Sequence, residues 1–348
     1  MIFGKVSYME MTMEKIRLGK TDLYVTRTAF GALPIQRVGF DEAARLLQGA
    51  YDAGVNFFDT ARGYSDSEEK IGRALKHVRD EIVIATKSGA GTAGELTAHL
   101  ETSLAKMQTD YVDILQLHNP RAMVDPDDVR SPYAGAVRAR DKGLVRHVGI
   151  SNHRLDVALE AARSGLFATM QFPLSVISAE KDFELIEVCR QNDLGFIAMK
   201  AMAGGLIRNT RAAFAFFRQF DNVVPIWGIQ REEELEEFLA LEAESPAFDD
   251  RMKEAAEAER QALAGDFCRG CGYCLPCPVE IPLNLAARMS LLIRRAPSEN
   301  LLTEEWRARM ERIELCTDCG QCRERCPYEL DPAALSKKNL EDYRTFFE

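Results

Sequence analysis

The sequence predicts an α/β protein in which eight β/α units close into one barrel and a small cysteine-rich module follows. Three observations predict it. From Val25 onward, short apolar runs alternate eight times with amphipathic stretches of helix length, the pattern of repeated β/α units and a parallel sheet. After Gly265 the composition changes abruptly to Cys, Gly and Pro. Of nine cysteines, Cys189 stands alone and the other eight fall between Cys268 and Cys326.

The predicted elements run as follows. Residues 1–12, with Met1, Met9 and Met11 ahead of the patterned sequence, read as an N-terminal extension without a role in the fold. The strands are expected at Val25–Phe30, Val55–Phe58, Ile82–Thr86, Val112–Leu117, Val145–Ile150, Thr169–Gln171, Gly195–Met199 and Val223–Ile226, which together make a (β/α)8 TIM barrel over residues 13–263. Helical stretches lie between them. In DEAARLLQGAYDAG, Ala43, Leu46, Leu47 and Ala50 recur at helical spacing, with Asp41 as N-cap and Gly54 past the end. The acidic segments REEELEEFLALEAE and DDRMKEAAEAERQALAG are rich in helix formers, and their charge reads as a solvated face. Residues 264–348 form the second module, ending in a short helix whose aromatics Tyr343, Phe346 and Phe347 could dock onto a neighbour.

A chain of 348 residues with 46% hydrophobic and 28% charged residues buries a sizeable core and exceeds one ordinary domain. A net charge of -10 argues against nucleic acid, which needs clustered Lys and Arg. No secretory signal and no run of about 20 apolar residues is visible, so neither export nor a membrane span is expected, and a cytoplasmic location follows. Clustered cysteines in such a protein favour metal over disulfides.

In a barrel of this kind chemistry gathers at the C-terminal ends of the strands. Asp59 follows VNFF, Lys87 follows IVIAT, His118 follows DILQL, Ser151 and Asn152 follow HVGI, and Gln171 follows ATM. Spaced about one β/α unit apart, these side chains converge on one rim. The segments NFFDTARGY, IVIATKSG, DILQLHNP, VRHVGISN and AMKAMAGG resemble the successive signatures of the aldo/keto reductase superfamily, a likeness running from about Met13 to Leu263. It implies a catalytic tetrad of Asp59, Tyr64, Lys87 and His118. Reducing a carbonyl by hydride transfer needs an acid for the developing alkoxide. Tyrosine, with a pKa of about 10, becomes a better acid when a buried ammonium lowers that value. Lys87 is expected to do this to Tyr64, Asp59 to hold Lys87 charged, and His118 to orient the substrate oxygen. His77, His99, His147 and His153 match no such pattern and read as structural or solvent-facing.

The resemblance also implies a nicotinamide cofactor, with Ser151, Asn152 and Gln171 on its carboxamide. Met199 falls where many relatives stack an aromatic ring, and core packing is the competing explanation for it. Gly204, Gly205 and Leu206 form a loop able to approach the pyrophosphate through backbone N–H groups. The segment PIWGIQREEELEEF resembles the family's adenosine-phosphate region. Gly228 and Glu234 stand where NADP-preferring members place Lys and Arg, and Glu237 matches an adenine-contacting acid. A carboxylate repels a 2'-phosphate but accepts hydrogen bonds from a ribose diol, so NAD(H) is expected over NADP(H), with Arg231 able to reverse the choice.

The run Cys316-x2-Cys319-x2-Cys322-x3-Cys326-Pro327 reproduces that of bacterial ferredoxins, and Cys268-x2-Cys271-x2-Cys274-x2-Cys277-Pro278 is one residue shorter before its fourth cysteine. This resemblance implies two 4Fe-4S clusters, one on Cys268, Cys271, Cys274 and Cys326, the other on Cys277, Cys316, Cys319 and Cys322. Zinc bound by CxxC pairs is the alternative, and the shortened first run leaves open a single cluster. Cys189 reads as a buried small hydrophobe.

A nicotinamide passes two electrons as hydride and each cluster passes one, yet no flavin motif lies in the chain to join them. Three readings follow. The barrel is a carbonyl reductase or alcohol dehydrogenase with clusters for structure or sensing; or the clusters wire it to a ferredoxin, flavodoxin or flavoprotein; or it is a nucleotide-sensing interaction module with little turnover. The complete tetrad favours an enzyme acting on a small carbonyl or alcohol. The loops LPIQRVGF and PRAMVDPDDVRSPY, which would set specificity, carry no diagnostic residue.

Overall fold

The computed structural model describes residues 13–265, 267–295 and 301–347, and the extension expected over residues 1–12 lies outside them. Its strands are β1 (Lys15–Arg17), β2 (Tyr24–Thr26), β3 (Ala29–Gly31), β4 (Phe57–Asp59), β5 (Val83–Ser88), β6 (Val112–His118), β7 (Val145–Ser151), β8 (Thr169–Pro173), β9 (Gly195–Met199) and β10 (Val223–Gly228). From β3 to β10 each strand lies parallel to the next, and β10 closes on β3, so the expected eight-stranded barrel is present.

Strand alternation fills the interior. Ala29, Phe57, Val83, Ala85, Ile114, Ile197, Val224 and Ile226 pack there with Leu18, Leu23 and Val25. Each large side chain so buried contributes about 1.5–3 kcal/mol. On the outside of β10, Trp227 is buried and stacks 4.5 Å from the Phe238 ring.

The first expected strand, Val25–Phe30, divides in two. The Thr26 hydroxyl donates to the Thr28 carbonyl at 2.7 Å, and the Thr26 N–H goes to Asn56 Oδ1 at 2.8 Å, which interrupts the ladder. The part before this break, β2, pairs antiparallel with β1. That hairpin brings Leu18, Leu23 and Val25 to the floor of the barrel. Its turn passes so close to the start of β9 that a Cβ on Gly19 would lie 2.0 Å from the Gly195 nitrogen; with φ at +56°, only glycine suits the position.

Helix Phe40–Asp52 buries Ala43, Leu46, Leu47 and Ala50 as expected, but Gly39 caps it and Asp41 falls in its first turn. There the carboxylate still complements the helix dipole. The acidic segments form helices Glu232–Glu244 and Asp250–Ala262. They are not wholly solvated: Glu242 is buried against Arg218 and the Thr28 hydroxyl.

Two compact units divide the chain differently from the boundary expected at residue 263. One ends at Ala201 and resumes over Phe214–Met252; the other consists of Met202–Ala213 and the chain from Lys253 onward. Within the second unit, Glu259 is buried, accepts the N–H groups of Arg208 (3.1 Å) and Asn209 (3.2 Å), and pairs with Arg295. Its core gathers Ile281, Leu283, Ala286, Met289, Met310 and Leu340 around Tyr343. The Tyr343 hydroxyl donates to the Leu301 carbonyl at 2.6 Å, and Phe347 lies 5.2 Å from its ring. The C-terminal helix Pro332–Arg344 thus docks within its own module, leaving Phe346 exposed.

Candidate functional site

Barrel register sets the expected residues side by side. Lys87 at the end of β5 is level with Gln116, His118 at the end of β6 with Ser151, and Ser151 with Gln171 on β8. Asp59 ends β4. Tyr64 follows in a turn closed by its own N–H to the Ala61 carbonyl and by the Ser67 N–H to the Tyr64 carbonyl.

Lys87 Nζ donates to Asp59 Oδ1 at 2.6 Å and to the Thr60 carbonyl at 2.6 Å, and both charged side chains are 2% exposed. Nζ lies 5.1 Å from the centre of the Tyr64 ring, which meets the His118 ring edge-on at 6.1 Å. The four tetrad residues are therefore together. Burial drives the Asp59 carboxyl up and the Lys87 ammonium down, each opposed by the attraction of the other. Burial and then the nearness of Lys87 bring His118 down to about 3, so its imidazole is neutral.

Tyr64 differs from expectation. Burial, and then the Asp59 charge, push its phenol above the ordinary value instead of below it. The physical reason is that Asp59 offsets the lysine charge while the ring loses water. A firmly protonated phenol is a proton donor in reduction; it needs the developing alkoxide to draw the proton away.

Two residues overlooked in the sequence, Gln116 and Glu68, complete the arrangement together with Gln171. Gln116 and Gln171 donate to Asp59 Oδ2 at 3.3 and 3.1 Å, holding the carboxylate toward Lys87. Gln116 lies two residues before His118 on one strand, hence on the same face, and that alternation was the available signal. Glu68, 1% exposed, accepts the Thr86 hydroxyl at 2.7 Å, lies 3.6 Å from Arg62 and supports the charge on Lys87. Nothing in the DSEEK run distinguishes Glu68 from Asp66 and Glu69, which are only partly buried. The remaining histidines include His99, bonded to Ser88 Oγ, and His147, bonded to Asp22.

The cofactor residues are more divided. Gln171 Oε1 is buried without a hydrogen-bond partner, and the Ser151 hydroxyl reaches the Leu117 carbonyl only at 3.4 Å. An unsatisfied acceptor beside a weakly held hydroxyl fits a carboxamide. Asn152 is already engaged, donating to the Pro120 carbonyl at 2.9 Å and accepting from the Arg154 N–H at 2.8 Å. Met199 packs, half-buried, against the barrel's interior cluster. The loop Gly204 to Leu206 belongs to the second unit, and the Gly205 and Leu206 N–H groups are spent on the Met202 carbonyl, so they are not turned to a phosphate as expected. Glu234 is not a free carboxylate either. It accepts the Gln230 and Arg231 N–H groups at the start of its helix and pairs with the Arg231 guanidinium at 2.8 Å. A side chain on Gly228 would meet Pro34 Cγ at 3.1 Å, and Glu237 is exposed.

In the second unit, Cys277, Cys316, Cys319 and Cys322 line one cavity of ≈190 Å3, with Cys274 at its wall. Cys274 is pushed up to about 12 by burial and by the nearness of Cys268, Cys271 and Cys322. None of the nine cysteines is in a disulfide, and Cys189 is buried in the barrel unit as expected. Among the described residues no three His, Cys, Asp or Glu side chains crowd together tightly enough to hold one metal ion. Four thiols spread around a cavity, exchanging the fourth member between runs, are a donor set that fits a cubane cluster.

The aldo/keto reductase family model matches residues 28–215, more than half of the chain. The chain belongs to the aldo/keto reductase family. A 4Fe-4S dicluster domain model matches residues 267–331 of this reductase, over all eight clustered cysteines. A 6-dehydroglucose reductase of Novosphingobium aromaticivorans is 29% identical over 57% of this chain and 71% of its own. An L-galactose dehydrogenase of Arabidopsis thaliana is 28% identical over 57% and 68%. A solved aldo-keto reductase from Bacillus halodurans has the same fold, with a TM-score of 0.64 at 20% identity over 73% of this chain and 99% of its own. The chain spans about two thirds of the length of the curated relatives it matches. It is thus an oxidoreductase of the aldo/keto reductase type carrying a 4Fe-4S domain. Among its described residues no helix is long and apolar enough to cross a membrane.

Proposed function

We propose that this reductase interconverts a small carbonyl and its alcohol in the cytoplasm, with Tyr64 as general acid and base. The observation that carries the reading is the buried Lys87–Asp59 pair beneath Tyr64 and His118. A buried ion pair is costly to keep, and here it sets a cation beside the one phenol able to exchange a proton. In reduction Tyr64 gives its proton to the forming alkoxide, and Lys87 stabilises the tyrosinate left behind. Asp59, steadied by Gln116 and Gln171, holds Lys87 in line. The neutral His118 imidazole orients the substrate oxygen without competing for the proton.

A nicotinamide, when bound, supplies or accepts the hydride; Ser151 and Gln171 would hold its carboxamide, with Met199 beside the ring. NAD(H) is the preferred form, because the Arg231 guanidinium that a 2'-phosphate requires is engaged by Glu234. Two 4Fe-4S clusters, when present, move single electrons; Cys268, Cys271, Cys274 and Cys326 would hold one and Cys277, Cys316, Cys319 and Cys322 the other. They would connect the protein to a ferredoxin, flavodoxin or flavoprotein.

The test is anaerobic turnover of cluster-loaded protein with NADH or NADPH against a panel of aldehydes, ketones and quinones. Substrate-dependent NADH oxidation, faster than with NADPH, is expected. Tight nucleotide binding with no turnover of any carbonyl would overturn the enzymatic reading in favour of nucleotide sensing.

A further inference from the structure

Two buried oxygens in the barrel interior have no part in the proposed chemistry. Gln116 and Thr169 are both 0% exposed, and among the described residues nothing bonds Gln116 Oε1 or Thr169 Oγ1. Gln116 turns its Nε2 to Asp59 Oδ2 at 3.3 Å. The carboxylate would repel a carbonyl oxygen in that place, so Oε1 faces away from it. Asp59 Oδ2 also takes the Gln171 amide at 3.1 Å, which leaves Gln116 the longer of the two bonds and the one more dependent on being held at its other end. A buried polar oxygen without a partner is rare in a folded protein.

Strand register sets the two oxygens at one level. Gln116 on β6 is level with Gly149 on β7, Gly149 with Thr169 on β8, and Thr169 with Gly195 on β9. Thr169 therefore stands between two glycines. On the Gly195 side the floor hairpin fills the room, since a Cβ there would lie 2.7 Å from Leu18 Cγ. The Gly149 side is different: a Cβ there would lie 2.2 Å from Thr169 Oγ1, 3.2 Å from Gln116 Cγ and 3.3 Å from Ile114 Cγ2. The Thr169 hydroxyl thus leans into the place a side chain on Gly149 would take, toward Gln116 and above apolar Ile114. Two polar groups that face each other beyond direct bonding reach are the setting in which a buried water bridges them.

Resting on the reading of Asp59, Lys87 and Tyr64 as the proton-transfer groups, we propose that Thr169 is a further positioning residue, acting on Gln116 through one bound water. The Thr169 hydroxyl donates to the water, the water donates to Gln116 Oε1, and Gln116 so held keeps its amide on Asp59 Oδ2. Asp59 in turn fixes Lys87 beside the Tyr64 ring. Thr169 lies two residues before Gln171 on β8, on the same face and one layer deeper in the barrel. Its effect therefore reaches the reacting atoms only through the chain of Gln116, Asp59 and Lys87. Gly149 belongs to the same device, because any side chain there would displace the hydroxyl.

Full-length, cluster-loaded protein tests this in two ways. In a crystal structure fine enough to show ordered water, wild type should hold one water within hydrogen-bond distance of Thr169 Oγ1 and Gln116 Oε1, and Thr169→Val should lack it. No such water, or a direct bond between the two side chains, overturns the proposal. In steady-state carbonyl reduction, Thr169→Val keeps the shape and loses the hydroxyl, so kcat should fall about 10- to 100-fold with the KM for NADH within about twofold of wild type. Thr169→Ser, which restores the hydroxyl, should return kcat to within about threefold of wild type. A merely structural Thr169 would lower the melting temperature and leave kcat unchanged, and that result overturns the proposal. So does a Thr169→Ser variant as slow as Thr169→Val. If Thr169→Val does not fold, the wild-type density and Thr169→Ser decide by the same criteria. A wild type that turns over no carbonyl defeats the carbonyl reading and the part of Thr169 with it, whereas wild-type turnover that Thr169→Val leaves unchanged defeats only the part of Thr169.

Discussion

Lys87→Met takes the cation from a pair in which both partners are 2% exposed and 2.6 Å apart. The Asp59 carboxylate is left buried with only the two glutamine amides as donors. Breaking such a pair costs about 3–5 kcal/mol. At about 2–4 °C per kcal/mol for a unit of this size, the barrel's melting temperature should fall by about 6–20 °C. Converting Asp59 to Asn in the same protein removes the stranded charge and retains a shape the amides can bond, so the double variant should recover at least about 2 kcal/mol. The deficit should also depend on pH. Burial raises the Asp59 carboxyl in the folded protein, and losing Lys87 raises it further. A raised carboxyl contributes stability that is fully present below the unfolded value of about 3.9 and is lost as pH rises through the folded value. The single variant should therefore fall further behind wild type as pH increases across that window, by up to about 1.4 kcal/mol per pH unit. Thermal melts followed by circular dichroism at several pH values measure both effects. A single variant within about 1 kcal/mol of wild type, or a double variant showing the plain sum of the single losses, would refute this account of the pair.

Two further predictions concern the site's edges. With the His118 imidazole brought down to about 3, the pH profile of kcat/KM should carry no limb from its ionisation between about pH 5 and 8; a limb that disappears in His118→Asn would contradict its neutrality. Glu234→Ala removes the cap on helix Glu232–Glu244, costing about 0.5–2 kcal/mol in a denaturant melt. It also releases Arg231, so the NADPH-to-NADH ratio of kcat/KM should rise about tenfold, worth about 1.4 kcal/mol; an unchanged ratio removes Arg231 from cofactor choice.

The barrel was legible because its signal is periodic: Asp59, Lys87 and His118 each end an apolar run, and closure makes such ends converge. What stayed hidden depends on side chains meeting out of sequence. The split of the first strand follows from Thr26 reaching Thr28 and Asn56, a local competition that apolar patterning does not record. Glu234 read as a cofactor residue although it stands at the third position of its helix, where a glutamate reaches back to the N–H groups ahead of the helix; it does so here, and that consumes the carboxylate. Glu259 is one acid among many in its helix, and only the incoming backbone of Arg208 and Asn209 sets it apart. The Tyr64 shift depends on burial and on Asp59 at once, so the neighbouring lysine alone predicts the wrong direction.

The central claim is that Tyr64 exchanges the proton in carbonyl reduction, and Tyr64→Phe tests it most directly. Turnover of the best carbonyl substrate should be measured in cluster-loaded protein alongside NADH affinity by fluorescence titration. The account predicts a fall in kcat of about 10²–10⁴-fold with NADH affinity retained; a variant that turns over at the wild-type rate would contradict it.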